Sequence, residues 1–340
     1  MCTLTAACSP AAVLAGSLIL SMTATPAAVH AQESSLAPVS SSAALAPEIE
    51  LKAAELRASF RSAVDANDLR AQALALDAIG ALYYSHGNPA EALKQFENVL
   101  TIVRKLGEST AEATALSDVG AASFALGHAE DALDAYKKAL PIWRKLGNQD
   151  HEAAILGDIG EVFRALDDPD EALNFDEQAL PLYERAGNRA GEAAVLNNIG
   201  LAHYARRDKK KALEAFQRAL TIYSSAANLR GQATTLNNIG GTYNAFGDPR
   251  KAITEFEQSL ALARPLGDEE NEATALNNEG TAYSRLGDAR RAIAAYQQAL
   301  SAFRAAGDEK GAKAANKNIE RLYGDRHSRQ ALENRTSNCE

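Results

Sequence analysis

The chain has 340 residues, of which 46% are hydrophobic and 23% are charged, so it carries enough apolar material to build a core. Its formal net charge of −9 at pH 7 argues against a nucleic-acid partner, because phosphate backbones attract basic surfaces and repel acidic ones. No apolar stretch of the sequence is long enough to cross a bilayer as a helix, so we expect no membrane span.

Residues 1–31 have the features of a secretory signal peptide. They contain no Asp, Glu, Lys or Arg, and an apolar run extends from Ala11 to Leu20. Val29 and Ala31 place small residues at the two positions that signal peptidase reads, which predicts cleavage before Gln32 and an exported, periplasmic mature chain. The positive residues that usually begin such a signal are missing, so the alternative is a disordered, Ala-rich leader.

Two segments separate this leader from the body of the chain. Residues 32–47 are rich in Ser, Ala and Pro, which predicts a flexible linker. Residues 48–66 have the pattern of a single helix, and they align with the second half of the repeat that follows them. We expect this helix to cap the array at its N-terminal end by covering an apolar face.

Internal repetition dominates residues 69–308. Six glycines recur at intervals of forty residues, and each ends a similar phrase, which reads LNNIG in two of the copies. These glycines are Gly80, Gly120, Gly160, Gly200, Gly240 and Gly280. A period near forty indicates one supersecondary unit that is copied and stacked, so the sequence predicts an array of six units.

Each unit has the pattern of two helices. Between Arg189 and Ala226, apolar residues follow the i, i+3, i+4, i+7 spacing of amphipathic helices. Asn or Asp before Pro, as at Asn88 and Pro89, marks the start of a second helix, and a glycine such as Gly107 marks its end. The predicted fold is therefore all-α, a solenoid of stacked antiparallel helical hairpins.

The end of the chain repeats only half of this unit. Residues 309–323 align with a first helix that lacks its second, and we expect them to cap the array at its C-terminal end. Residues 324–340 are polar and aperiodic, which predicts a disordered tail.

The six recurrent glycines lie inside first helices, where glycine costs about 1 kcal/mol relative to alanine. We expect the missing side chain to let the second helix, which carries Ala92 and its equivalents, approach closely. Two copies depart from the pattern. Asp176 occupies a position that is aromatic in the other second helices, and Glu279 replaces the Ile or Val that precedes the other glycines. A buried carboxylate is costly unless it is paired or protonated.

These residues together resemble a known family. The pattern EAxxLNNIGxxYxxxGDxxKALxxFxxAL, repeated every forty residues, is similar to the tetratricopeptide repeat in its longer bacterial variant, over residues 69–323. Arrays of that variant often precede caspase-like CHAT protease domains or form part of exported scaffolds. The resemblance implies a right-handed superhelix whose first helices line a concave groove.

In the resembled repeat, the residues two and three before each glycine face the groove. The N-terminal copies are acidic there and nearby, at Asp77, Asp118, Asp158 and Glu161. The C-terminal copies carry amides, with further polar residues one turn on: Asn197, Asn198, Tyr204, Asn237, Asn238, Asn244, Asn277 and Asn278. Amides can pair with the backbone of an extended peptide, and the acidic half favours Lys or Arg in that peptide.

The Asn pairs also allow a structural interpretation. One Asn of each pair can bond a neighbouring helix and hold the repeat spacing, while the other faces the groove. Both interpretations remain open from the sequence.

The sequence contains no pattern typical of catalysis. The six His residues share no metal-ligand spacing, and neither a G-x-S-x-G motif nor a phosphate-binding Gly-rich loop occurs. We therefore expect no enzymatic activity, no cofactor and no metal.

The predicted function is that of a scaffold or adaptor that holds a protein or an extended peptide in the groove. One alternative is a regulatory sensor module that acts with a separate CHAT-like protease, and another is a self-assembling array. The sequence does not determine the oligomeric state.

The predicted signal cleavage can be tested by N-terminal sequencing of exported protein. We expect the mature chain to begin at Gln32, because Val29 and Ala31 satisfy signal peptidase. A mature chain that begins at Met1 would contradict the prediction.

Overall fold

The computed structural model of the chain describes residues 47–337. The predicted signal peptide (1–31) lies outside the described residues, as do the linker up to residue 46 and all three cysteines. The described residues form α-helices joined by short turns, without a strand among them.

Fourteen helices cover the described part of the chain. They are α1 (Pro47–Asp65), α2 (Leu69–Ser85), α3 (Pro89–Leu106), α4 (Ser109–Ala125), α5 (Ala129–Leu146), α6 (Gln149–Ala165), α7 (Pro169–Ala186), α8 (Arg189–Ala205), α9 (Lys209–Ser225), α10 (Leu229–Ala245), α11 (Pro249–Leu266), α12 (Glu269–Arg285), α13 (Ala289–Ala305) and α14 (Glu309–Ser337).

The helices repeat with the period of the sequence. The even-numbered helices from α2 to α12 begin at residues 69, 109, 149, 189, 229 and 269, and each is followed by its partner after a three-residue turn. The predicted all-α solenoid of helical hairpins is therefore confirmed. The last helix continues to Ser337, past residue 323, where the sequence analysis ends the C-terminal cap.

The described residues divide into two compact units, 47–198 and 199–337, and the division falls inside α8. We call them the N-terminal unit and the C-terminal unit. Within the N-terminal unit, consecutive helices pack against each other from the pair α1 and α2 to the pair α6 and α7. Within the C-terminal unit the same holds from α9 to α14. Each unit is thus built from local contacts, as stacked repeats require.

The turns have the expected chemistry. Asp168 caps α7 by accepting a hydrogen bond at Oδ1 from the backbone N–H of Glu171, at 3.1 Å. Asp248 stands at the same position before α11 but makes no such cap, because Lys209 bonds its carboxylate instead. Gly107 ends α3 in the left-handed conformation with φ of 70°, which other residues adopt only with strain.

In five of the six hairpins, an aromatic ring of the second helix lies directly on the glycine of the first helix. A Cβ built on these glycines would lie 2.5 to 2.8 Å from a ring carbon, too close for any real atom. The pairs are Gly80 with Phe96, Gly120 with Tyr136, Gly200 with Phe216, Gly240 with Phe256, and Gly280 with Tyr296. All five rings are at most 1% exposed. The glycine therefore makes room for the ring, and at Gly240 the backbone carbonyl oxygen of Ala252 also lies 3.1 Å from the position of the Cβ.

The third hairpin replaces this ring with a buried ion pair. Asp176 is fully buried, and its Oδ1 lies 2.8 Å from the position of a Cβ on Gly160. Arg164 donates from Nη1 to Asp176 Oδ2 at 2.8 Å. Burial raises the pKa of Asp176 to about 7, although the Arg164 charge acts to lower it. The missing ring is supplied one position earlier, where Phe175 stacks on Phe163 at 5.5 Å between centroids.

Glu279 of α12 is half-buried. Burial and the charge of Glu257 raise the pKa of its carboxyl, while Tyr283 and Arg264 act in the opposite direction. The carboxylate is therefore only partly withdrawn from solvent at a position where the other copies carry an apolar side chain.

Two helical glycines of the N-terminal unit provide a matched test of the ring contact. Gly120→Ala should lower the stability by about 1–3 kcal/mol, because the new methyl group meets Tyr136. Gly157→Ala should raise it by about 0.5–1 kcal/mol, because Val195 at 3.9 Å is the nearest obstacle and alanine favours the helix. Thermal unfolding of both variants measures the two shifts. Shifts of the same sign would contradict the assigned role of the ring.

Asp176→Asn should remove a pH dependence of stability. The pKa of Asp176 is about 7 in the native chain and ordinarily 3.8, so the native state holds this proton more tightly than the unfolded state does. The stabilising contribution is complete below about pH 4 and is lost as the pH rises to 7. Urea unfolding across this range should show the wild type losing stability relative to the variant. A constant difference between the two proteins would show that Asp176 titrates normally.

Candidate functional site

The amides of the C-terminal unit bond to one another across repeats. Asn278 of α12 donates from Nδ2 to Oδ1 of Asn237 on α10, at 3.0 Å. Asn318 of α14 donates in the same way to Asn277 of α12, at 3.2 Å. In both pairs the donor is 41 residues beyond the acceptor. We call these four residues the amide ladder.

Three of the four residues of the amide ladder are withdrawn from solvent, and Asn318 is half-buried. Asn237 and Asn278 are fully buried, and Asn277 is 3% exposed. Each ladder bond joins the first helix of one repeat to that of the next, so these amides hold the repeat spacing. A ligand would have to break the bonds before it could use these side chains.

The other groove residues predicted for the C-terminal copies differ in their surroundings. Asn238 and Asn244 are fully buried in α10, and the backbone carbonyl of Asn244 accepts a hydrogen bond from Arg285. Asn197 of α8 is also fully buried. Tyr204 is half-buried, and its ring meets the edge of Phe246 at 6.3 Å. None of these positions offers an amide on an open surface.

The N-terminal unit has the same 41-residue spacing, but the residues at these positions do not form bonds between amides. The position 41 residues before Asp118 is Asp77, so two carboxylates occupy one ladder step. Before Asp158 the position is Ser117, whose hydroxyl donates to the carbonyl of Ala113 and accepts from Trp143 Nε1. Gly157 occupies the position before Asn198 and has no side chain. Three successive steps thus lack the amide pairing of the C-terminal unit.

Buried oxygens are left open at these steps. Within the described residues, Asp118 Oδ1, Asp158 Oδ2 and Asn198 Oδ1 are buried and have no hydrogen-bond partner. The three side chains are 2%, 8% and 6% exposed, respectively. Buried polar atoms nearly always have a partner, and an open one costs about 1–3 kcal/mol. Such atoms are suited to a ligand that brings hydrogen-bond donors.

Tyr84 adds a fourth open group. It lies four residues beyond Gly80 on α2 and is 5% exposed, with its ring in the cluster that contains Ala121 and Ala122. Its hydroxyl has no partner among the described residues. Burial raises the pKa of Tyr84, and the charges of Asp158, Glu161 and Asp118 raise it further, so these acids lie near the hydroxyl.

The acids of this region raise one another's pKa. Burial raises the pKa of Asp118 well above its usual range, and the charge of Asp77 adds to the effect. Burial and the charge of Glu161 do the same for Asp158. Asp77 and Glu161 themselves are half-buried. We call the surface formed by these four acids and Tyr84 the acidic face.

No group of three or more His, Cys, Asp or Glu within residues 47–337 is arranged to hold a metal ion. The helices described here also include none with the length and apolar character of a membrane span.

Three contributors to this arrangement are not among the site residues that the sequence predicts. Tyr84 stands four residues after its glycine, as Tyr204 and Asn244 do, so the repeat register contained the signal for it. Asn318 belongs to the cap and completes the amide ladder. The hydroxyl of Ser117 is occupied by Trp143, a contact between helices that no sequence pattern indicates.

Solved structures share the fold of this chain. BtubC (BKLC) from P. vanneervenii is 21% identical with a TM-score of 0.57, and the match covers 64% of this chain and 92% of that one. Cut9–Hcn1 of the APC/C is 18% identical with a TM-score of 0.60, covering 80% and 46%. A STAND protein with a tetratricopeptide repeat sensor, PH0952 from Pyrococcus horikoshii, is 16% identical with a TM-score of 0.58, covering 81% and 43%.

Identities this low show the fold alone, and this chain spans less than half the length of the last two proteins. No protein of curated function matches the sequence.

The family comparison is more specific. The tetratricopeptide repeat profile matches residues 70–145, 151–225 and 231–305, which together make up more than half of the chain. Such repeats generally mediate protein–protein interactions, and the fold is typically a non-catalytic scaffold. With its forty-residue helical hairpins and this match, the chain belongs to the tetratricopeptide repeat family.

Proposed function

We propose that the chain is a protein-interaction scaffold that holds an extended segment of a partner protein on the acidic face. The observation that carries the proposal is the set of buried oxygens without partners, on Asp118, Asp158 and Asn198. A folded chain that leaves such atoms open gains free energy when a ligand supplies donors to them. The backbone N–H groups and side chains of an extended segment are donors of this kind.

The proposal places binding in the N-terminal unit. In the C-terminal unit two of the equivalent steps are already closed by hydrogen bonds, at 3.0 Å for Asn278 with Asn237 and 3.2 Å for Asn318 with Asn277. A ligand gains little from amides whose existing bonds it must first break. In this proposal the Asn residues predicted for the groove in the C-terminal copies have a structural role. The acidic residues of the N-terminal copies have the binding role.

The proposed mechanism is passive. The open groups stand on the consecutive first helices α4, α6 and α8. Groups that are already oriented lower the ordering cost that binding would otherwise incur. The proposal involves no catalytic step. If residues 1–31 are cleaved as their composition predicts, the scaffold works in the periplasm.

The proposal can be tested with a displayed library of short random peptides, selected on the full chain. We expect extended sequences to be enriched and to bind the purified chain in solution. Glu161→Lys should weaken their binding about tenfold or more, equivalent to about 1.4 kcal/mol, because it reverses a charge on the acidic face.

Asp134→Lys is the matched control. Asp134 belongs to α5 of the same unit, is exposed, and bonds only Lys138 among the contacts described for its side chain. This variant makes the same charge change away from the acidic face and should leave binding unchanged. If no peptide is enriched, or if both variants weaken binding equally, the proposed binding face is wrong.

A further inference from the structure

The first turns of the second helices change charge between the two units. In the C-terminal unit, the tenth and eleventh residues after each recurrent glycine are basic: Lys210 and Lys211 on α9, Arg250 and Lys251 on α11, and Arg290 and Arg291 on α13. In the N-terminal unit, five of the six equivalent residues are acidic: Glu91 on α3, Glu130 and Asp131 on α5, and Asp170 and Glu171 on α7. All eleven residues are exposed. We call the two sets the basic row and the acidic row.

The basic row is placed against the field of its own helices. The N-terminal end of an α-helix carries a partial positive charge, so acidic side chains stabilise the first turn and basic ones destabilise it. The acidic row follows this rule, whereas the first turns of α9, α11 and α13 contain no acidic residue. Three successive repeats thus depart from the rule at the same place, which indicates a role outside the helices themselves.

Aromatic rings hold part of the basic row in place. The ammonium nitrogen of Lys251 lies 5.5 Å from the centre of the Tyr243 ring, and the guanidinium carbon of Arg291 lies 5.5 Å from the centre of the Tyr283 ring. Lys209, next to the row, lies 5.5 Å from the Tyr243 ring as well. Both rings are half-buried. Cation–π contacts of this kind orient the charges before a partner binds, which lowers the ordering cost of binding.

Capping aspartates next to the basic row reduce its charge without cancelling it. Asp288, for example, lies 3.4 Å from Arg291. The three segments that contain the basic row together hold nine basic and three acidic residues, a formal charge of +6: 206–211, 246–251 and 286–291. The equivalent segments of the N-terminal unit hold seven acidic residues and no Lys or Arg, a formal charge of −7 with His neutral: 86–91, 126–131 and 166–171. The two sets of segments are therefore close to equal and opposite in charge.

We infer that the basic row binds the acidic row of a second copy of this chain. The two rows recur at the same interval, because both lie on first turns of second helices that begin every forty residues. Groups that match in sign and in interval attract each other at several points at once, which a single exposed ion pair does not achieve. The contact joins different surfaces of the two copies. Neither row belongs to the acidic face, so the inference does not depend on the proposed function.

Ionic strength should control this association. Charges at the surface act over about 30 Å at an ionic strength of about 0.01 M, but over only about 3 Å at about 1 M. Analytical ultracentrifugation of the full chain should therefore show a mass above that of one chain at low ionic strength. At high ionic strength the chain should be single.

Two double variants test whether the rows pair with each other. Arg250→Glu with Arg290→Glu disables the basic row, and Glu130→Lys with Glu171→Lys disables the acidic row. Each variant alone should stay a single chain at low ionic strength, under conditions in which the wild type associates. An equal mixture of the two should form pairs, because the first variant keeps an intact acidic row and the second keeps an intact basic row.

Lys310→Glu with Lys313→Glu is the matched control. Both lysines are exposed near the start of α14, which follows the end of α13 opposite to the basic row. This variant makes the same change in net charge as the first double variant and should associate as the wild type does. Circular dichroism and the melting temperature check that every variant folds, and the salt dependence of the wild type needs no variant.

Four results would overturn the inference. The first is a wild-type chain that stays single at low ionic strength. The second is association that survives high salt or either double variant. The third is a mixture of the two variants that fails to form pairs. The fourth is a single chain that binds a poly-glutamate peptide through the basic row, since the row would then serve a different acidic partner.

Discussion

Five of the six hairpins of this chain depend on a contact between an aromatic ring of the second helix and a glycine of the first. A phenylalanine or tyrosine of the second helix lies on the glycine of the first, so closely that a Cβ there would come within 2.5 to 2.8 Å of the ring. This contact fixes the distance between the two helices and their rotation about their axes, because a close-packed interior does not tolerate an added methyl group. Its recurrence every forty residues brings the same faces of successive first helices together. The third hairpin, with Asp176 against Gly160, substitutes a buried ion pair for the ring and thereby ties its stability to pH.

The fixed register has opposite consequences in the two units. In the C-terminal unit it places an amide donor opposite an amide acceptor, and the bonds from Asn278 to Asn237 and from Asn318 to Asn277 close the steps between repeats. In the N-terminal unit the same geometry places Asp118 at the step with Asp77, and Asp158 at the step with an occupied Ser117. The steps from Asn237 to Asn278 and from Asn277 to Asn318 therefore serve cohesion, whereas the steps of Asp118, Asp158 and Asn198 leave buried oxygens open. The cost of the open acceptors is what a donor-rich partner can recover.

Much of the fold could be predicted from the sequence, because the period of forty, the helix caps and the terminal glycines are local signals. The sequence predicts close approach at the glycine, but the contact with an aromatic ring depends on side-chain packing between helices. For the amides the sequence left two roles open. The choice depends on the rotation of one first helix relative to the next, which decides whether a residue meets its neighbour 41 positions away. Tyr84 could have been predicted, because it lies four residues after its glycine, as Tyr204 does. The bond from Arg164 to Asp176 could not, because no repeated pattern in the sequence indicates it.

The central claim is that buried carboxyl groups of the N-terminal unit remain open in the free chain. Nuclear magnetic resonance of the full chain labelled with 13C at the aspartate carboxyl carbon tests it most directly, with Asp118→Asn and Asp158→Asn used to assign the two signals. The account predicts that both carboxyls keep their protons well above the pH at which ordinary aspartates ionise, because burial and the charges of Asp77 and Glu161 oppose ionisation. Titration of both groups near the ordinary value, about 3.9, would show that water or a protein group already satisfies them, and it would contradict the account.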